Sequence, residues 1–281
     1  MVQYLSELSA SRQTSQELRQ IRDQADAGTD TPEAAEAETP SPTPVPSSGR
    51  EEAENTDTLL PGSTADDGVL QSGAYPDNPT LKIPERFRKL RQKCKYIIGW
   101  ISFDQVDEAV AQKDNSFFLD HDAAGKRNSN GAIFLDAGIS LITRPYTFFV
   151  YGHNMKSGNM FGRLKKYKES AYFHQHRIIT FDTLYEEGQY AVFAVMEMDT
   201  VPGTALWYDL WSLNTESRAD REKAIRALER RSAVSSVLDV QADDQLLLLI
   251  TCLDGETERL VVAARRLRSH ETADTLTFRQ D

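Results

Sequence analysis

From residue 95 onward, short apolar runs alternate with polar breaks rich in Gly, Asn and Asp. IIGWISF, DEAVAQ, GAIFLD, TFFVYG, RIITF, QYAVFAVMEM, QLLLLITC and ERLVVAARR each have the length and the β-branched or aromatic content of a strand. The breaks, among them KRNSNG and LDGETE, are made of residues that favour turns. Strands spaced in this way predict a mainly β fold, a sandwich or a closed barrel. Two segments follow a helical period instead. PERFRKLRQKCKYIIGW opens on Pro84 and repeats Phe87, Leu90 and Cys94 on one face, predicting a helix that leads into the first strand. TESRADREKAIRALERRSAVSS (215–236) mixes opposite charges around Ile225 and Leu228, which suits a surface helix inserted between strands. The expectation is a β-barrel with helical additions over residues 81–281, without internal repeats.

Charge changes the picture ahead of residue 81. The chain has a net charge of -11, and residues 1–80 hold 15 acidic and 4 basic residues, so this tail carries the whole imbalance. It also holds eight of the eleven prolines and only two aromatics, Tyr4 and Tyr75. Residues 27–80 therefore read as a disordered, acidic, Pro-rich linker. Residues 1–26 place Leu5, Leu8, Leu18 and Ile21 at roughly helical spacing: a candidate juxtamembrane helix, or a marginal solvated one. The remainder is electrically neutral, which gives no reason to expect nucleic acid as a partner. The longest apolar run, YAVFAVM (190–196), is far short of the ~18–20 residues a spanning helix needs. LLPGST (59–64) in the tail carries no signal beyond chance.

Candidate chemistry gathers at strand ends. The chain has five histidines, and His153 stands where TFFVYG breaks into the polar turn HNMKSGNM. Cys252 ends the buried run LLLLITC, and after LDGETE the chain returns through Arg259 into LVVAA. Taken singly, Cys252 reads as an inert buried thiol and Arg259 as a solvated edge charge. Together, a thiol, a histidine from a neighbouring strand end and a guanidinium are what thiol-based acyl transfer needs. The two cysteines, Cys94 and Cys252, also permit a disulfide, in which case the domain is a catalytically silent binding module. His174 and His176 in YFHQH share one face of a predicted strand, but no third ligand is near in sequence, so a metal site is not expected.

These segments carry a resemblance. IIGWISF, VDEAVAQKDNSFFLDHD, SNGAIFLD, FFVYGHNMKSGNMFGRLKKY, LLLLITC and ERLVV follow one another as in class B sortases, thiol transpeptidases that attach surface proteins to the wall of Gram-positive bacteria. YGHNM followed by MFG, and the Thr-Cys–turn–Arg hairpin, are the most specific parts of the match. The resemblance implies a closed sortase-type barrel with Cys252 as nucleophile, His153 as proton-transfer partner and Arg259 as the oxyanion-side cation. Arg265 and Arg266 fit that last role less well. Asn115, Leu119, Ile250 and Thr251 are implied to contact the substrate. The helix at 215–236 matches the one that class B members insert before the cysteine-bearing strand. The partners implied are the sorting-signal peptide of a secreted surface protein and an amine of a peptidoglycan precursor or a pilin, with no cofactor. The family is extracytoplasmic and anchored by an N-terminal membrane helix. No such helix is visible here, so the chain is expected to be a soluble portion that begins after the anchor, with the acidic tail as a stalk. Hydrolysis of the same peptides is the alternative within thiol chemistry. One departure stands out: the family's usual Thr-Leu-Ser-Thr-Cys reads Leu248-Leu249-Ile250-Thr251-Cys252 here. Asp254 reads as a turn residue, with assistance to His153 the less favoured alternative.

Overall fold

The apolar runs satisfy their backbone groups by closing on themselves. The computed structural model describes residues 2–28, 75–253 and 257–276. Its strands are β1 (Ile97–Phe103), β2 (Val106–Ala111), β3 (Ile133–Leu135), β4 (Thr147–Tyr151), β5 (Ile178–Thr183), β6 (Gln189–Asp199), β7 (Leu246–Cys252) and β8 (Glu258–Arg266). They form one closed barrel in the order β1-β2-β3-β4-β7-β8-β6-β5. The fold is mainly β, as the strand spacing predicts. Closure leaves no open sheet edge.

Two neighbours in the ring, β2–β3 and β4–β7, run parallel. Parallel partners cannot be joined by a tight turn, so the chain must make a long crossover between them. Those crossovers carry most of what is not barrel. Residues 112–132 contain a single 3-10 turn, Phe117–Leu119, and residues 152–245 contain α3 (Ser170–Gln175), β5, β6 and α4 (Arg218–Arg231). Phe148, Phe149, Leu247, Leu248, Val261 and Val262 are all fully buried, so β4, β7 and β8 are covered on both faces. That is why LLLLI reads as a continuous apolar run rather than an alternating one.

The helices bury the faces that their spacing marks out. α2 (Glu85–Lys93) seals one side with Phe87 and Leu90. α4 is capped by the Ser217 hydroxyl, which accepts from the Asp220 N–H, and it buries Ala224, Ile225 and Leu228. α1 (Val2–Gly28) lies against the barrel, with Leu18 and Ala25 buried. Its polar ties are specific: Thr14 Oγ1 donates to Asp122 at 2.9 Å, Arg19 meets Glu108 at 2.8 Å, and Arg22 pairs with Asp107 at 2.6 Å while stacking on Trp100.

One expectation changes. The YFHQH segment is not a strand: residues 170–175 form α3, and the Tyr167 hydroxyl donates to the His176 carbonyl at 2.6 Å. Ahead of residue 81, Tyr75 is buried edge-on against Tyr185 and its hydroxyl donates to the Leu141 carbonyl. Residues on either side of 29–74, Leu18 and Ala25 of α1 and Tyr75, are buried against the barrel. Residues 59–64 lie outside the described residues.

Beyond β8 the chain is clasped to the barrel by charge. Arg265, fully buried, makes a two-pronged contact with the Glu271 carboxylate. The hydrogen bond from Arg265 holds that carboxyl down at about 2, against an ordinary 4.5. Breaking a buried pair strands its remaining charge, so Glu271→Gln should cost about 3–5 kcal/mol at neutral pH. Because the folded value is depressed, the stabilisation is complete above pH 4.5 and is lost as pH falls toward 2. Urea unfolding of both proteins at pH 7 and pH 3 should show the gap between them narrowing in acid.

Candidate active site

The β4–β7 ladder runs in register to the end of β4, with Tyr151 opposite Ile250. Past that rung, the Gly152 N–H donates to the Ile250 carbonyl at 3.2 Å. The buried Thr251 hydroxyl donates back to the Gly152 carbonyl at 2.7 Å. The two chains are thus tied together up to the residues just before His153 and Cys252. The antiparallel β7–β8 pairing adds the third group, because Cys252 faces Arg259 and the Leu253 N–H closes the hairpin on Glu258 at 3.0 Å. Three adjacent strand ends therefore bring His153, Cys252 and Arg259 to one mouth of the barrel. They share a cavity of about 300 Å³, whose lining also includes Asn115, Leu119, Ile250 and Thr251.

His153 is held from two sides. Its Nε2 lies 2.8 Å from the Leu119 carbonyl. A carbonyl only accepts, so Nε2 carries a proton and, in the neutral ring, the lone pair is on Nδ1. The ring rests against Gly131, where φ is +63° and a Cβ would sit 2.5 Å from the Phe118 carbonyl and 2.8 Å from His153 Cδ2. The turn that follows folds back on the histidine: its carbonyl accepts from the Met155 and Phe161 N–H groups at 3.1 and 3.0 Å. Gly162 is required for that closure, since a Cβ there would come within 2.0 Å of the Met155 carbonyl. The polar, Gly-containing stretch after TFFVY is thus a fixed loop that sets the imidazole.

Cys252 is exposed and free, whereas Cys94 is free and buried beside α2, where burial pushes its thiol up. No disulfide joins them, which removes the structural basis of the silent-module alternative. Arg259 is half-buried, and its Nη1 donates to the Glu258 carbonyl at 2.8 Å. Tyr151, also at the cavity, donates its hydroxyl to Asp136 at 3.0 Å. Burial and Asp136 both raise its phenol, and the Arg259 charge pulls the other way.

The remaining candidates separate. Asn115 touches the cavity but is already engaged, accepting from the Ala137 N–H at 2.8 Å and donating to Asp136 at 3.2 Å. Leu119 is 46% exposed and Ile250 only 1%, so the isoleucine belongs chiefly to the core. Arg265 is spent on Glu271, and Arg266 meets Glu186 at 2.7 Å, so neither competes with Arg259. Among the described residues no group of three or more His, Cys, Asp or Glu is placed to hold a metal ion. Asp254 lies outside the described residues. Sequence reasoning missed Phe134, Tyr151 and Thr200 in the lining. Tyr151 carried a signal, standing two residues ahead of His153. Thr200 carried none, because it reaches the site only through the pairing of β6 with β8.

Comparison with known proteins points to one family. The family model described as the sortase domain matches residues 102–267. Over 222 residues the chain is 26% identical to the sortase B of Listeria monocytogenes, spanning 76% of this chain and 86% of that protein. The crystal structure of the Bacillus anthracis sortase B superposes with a TM-score of 0.60 at 28% identity, covering 68% of this chain and 86% of that one. The Staphylococcus aureus sortase B–substrate complex superposes with a TM-score of 0.59 at 26% identity, covering 67% and 87%.

Thr251→Val keeps the shape of the side chain but leaves the Gly152 carbonyl without its donor. Unfolding in urea should show a loss of about 1–3 kcal/mol, and Thr251→Ser should restore most of it. The His153 ring proton resonances should shift in the valine variant alone.

Proposed function

The chain belongs to the sortase family, with its relatives in class B, and we propose that this cysteine transpeptidase works through Cys252, His153 and Arg259. The Cys252 sulfur attacks the carbonyl carbon of a threonine in a sorting-signal peptide. Arg259 faces the oxygen as it gains negative charge. The C–N bond then breaks, His153 gives its proton to the departing amine, and the acyl group remains on sulfur as a thioester. Because Nε2 is engaged by Leu119, Nδ1 is the nitrogen that carries the transferred proton. An incoming amine attacks the thioester, returns a proton to His153 and frees the thiolate. Asn115, Leu119, Ile250 and Thr251 lie along the peptide's path.

The observation that carries this reading is the convergence of the three residues, from three adjacent strand ends, on one cavity. The amine acceptor is a peptidoglycan precursor or a pilin, and the enzyme acts at the outer cell surface where such partners meet. Among the described residues no helix is long and apolar enough to cross a membrane. The chemistry as written calls on no cofactor.

Incubation with a panel of threonine-containing sorting-signal peptides and triglycine, read by mass spectrometry, tests the assignment. A thioacyl adduct on Cys252 and an amide product are expected. Cys252→Ala should yield neither, and His153→Ala or Arg259→Ala should lower turnover by about a hundredfold or more. Full activity in Cys252→Ala would sink the reading. Free acid as the only product, with triglycine present, would make the protein a peptidase instead.

A further inference from the structure

Behind the cavity lies a carboxylate that the chemistry above does not use. Asp136 follows β3 and is 5% exposed. A buried carboxylate is costly unless its oxygens are filled, and here they are. The Tyr151 hydroxyl donates to Oδ2 at 3.0 Å, Asn115 Nδ2 donates to the same oxygen at 3.2 Å, and the Gly138 N–H donates to Oδ1 at 2.8 Å. The Asp136 backbone is pinned as well, its N–H donating to Phe149 at 2.9 Å and its carbonyl accepting from Gln112 at 2.8 Å. Two of the three side-chain donors and acceptors in this knot, Tyr151 and Asn115, line the cavity that holds Cys252.

An ionised carboxylate only accepts, so it dictates the direction of both neighbours. The single proton of Tyr151 is committed to Asp136, which leaves its oxygen with acceptor capacity alone. The Asn115 amide cannot flip, because Oδ1 takes the Ala137 N–H at 2.8 Å while Nδ2 faces the carboxylate with one hydrogen to spare. We propose that Asp136 is a positioning residue for the transpeptidase: it sets Tyr151 as an acceptor and Asn115 as a donor on the cavity wall. A peptide backbone, with its N–H and C=O, engages such a pair. The proposal rests on the cavity being the peptide site.

Asp136→Asn tests it, because an amide of the same size can donate as well as accept and releases both neighbours. With the threonine-containing peptide that the wild type turns over, KM should rise roughly tenfold and kcat should change by less than about twofold. Iodoacetamide should label Cys252 at the wild-type rate. In Asp136→Asn the Tyr151 phenol should ionise at lower pH, read as the absorbance difference from Asp136→Asn/Tyr151→Phe. Adding Asp136→Asn to Tyr151→Phe should raise KM by less than it does alone. An unchanged KM, fully multiplicative effects, an unmoved phenol titration, or a fall in kcat that tracks slower Cys252 labelling would each overturn the proposal. If Asp136→Asn does not fold, Tyr151→Phe and Asn115→Ala serve in its place, and wild-type KM in both overturns it. Failure of the transpeptidase reading would show separately, as no peptide turnover by the wild type. The phenol titration needs no substrate and still decides the link between Asp136 and Tyr151.

Discussion

The site depends on one parallel ladder. β4 and β7 are far apart in sequence, and the bond that closes their ladder, Thr251 to Gly152, spans 99 residues. Strand register is set by which face is apolar, and a slip of one residue would exchange faces. Here that rule has little grip, because β7 is buried on both faces through Thr251. LLLLI would sit almost equally well one residue out of place. Register is specified at the ends of the run instead, by the β7–β8 hairpin pairing and by the hydroxyl of Thr251. A slip would move Ile250 to the position of Thr251 and leave the Gly152 carbonyl buried without its partner. The residue that precedes Cys252 thus selects, among near-equivalent packings, the one that aligns Cys252 with His153.

The histidine depends on a different part of the chain. Its two supports, the Leu119 carbonyl and Gly131, both belong to the β2–β3 crossover. That crossover has little secondary structure of its own and is held by side chains. Asn128 Nδ2 donates to the Glu7 carbonyl at 2.9 Å and Thr14 donates to Asp122, both across to α1. Helix α1 is therefore a brace, one contact removed from the imidazole support. Its sequence separation from the site hides a short physical path: helix, crossover, ring.

The barrel was legible because each strand is a bounded apolar run, and α2 and α4 because their buried residues recur at 3.6. His153, Cys252 and Arg259 were legible as chemistry-bearing residues at strand ends. What could not be read follows from pairing order and from polar burial. Nothing in the chain announces that β6 neighbours β8, which is what delivers Thr200. The buried face of α1 includes Ser11 and Thr14 beside Leu18, and its docking is completed by Arg–Asp contacts, so its apolar signal is weak. YFHQH alternates like a strand, yet Phe173 is buried from a short helix. Tyr75 looks like an isolated aromatic in acidic sequence, and only the fold supplies Tyr185 as its partner.

Polar groups at the cavity fall into two physical kinds, and the division accounts for the one conspicuous departure in the motif. Thr251 and Asp136 have their hydrogen bonds filled within the protein, and they fix shape. Cys252 is exposed and His153 and Arg259 are half-buried, which suits the roles we propose for them. His153 belongs to both kinds, with Nε2 held by the Leu119 carbonyl and Nδ1 the nitrogen to which we assign proton transfer. Ile250 belongs to neither. It is buried in the main core, opposite Tyr151 on one side and Val261 on the other. An isoleucine in place of the family's small polar residue therefore stiffens the packing behind Cys252. Beside the filled Thr251 and the trio of Cys252, His153 and Arg259, the polar groups of the lining are Thr200, Asn115 and Tyr151, the last two bonded to Asp136.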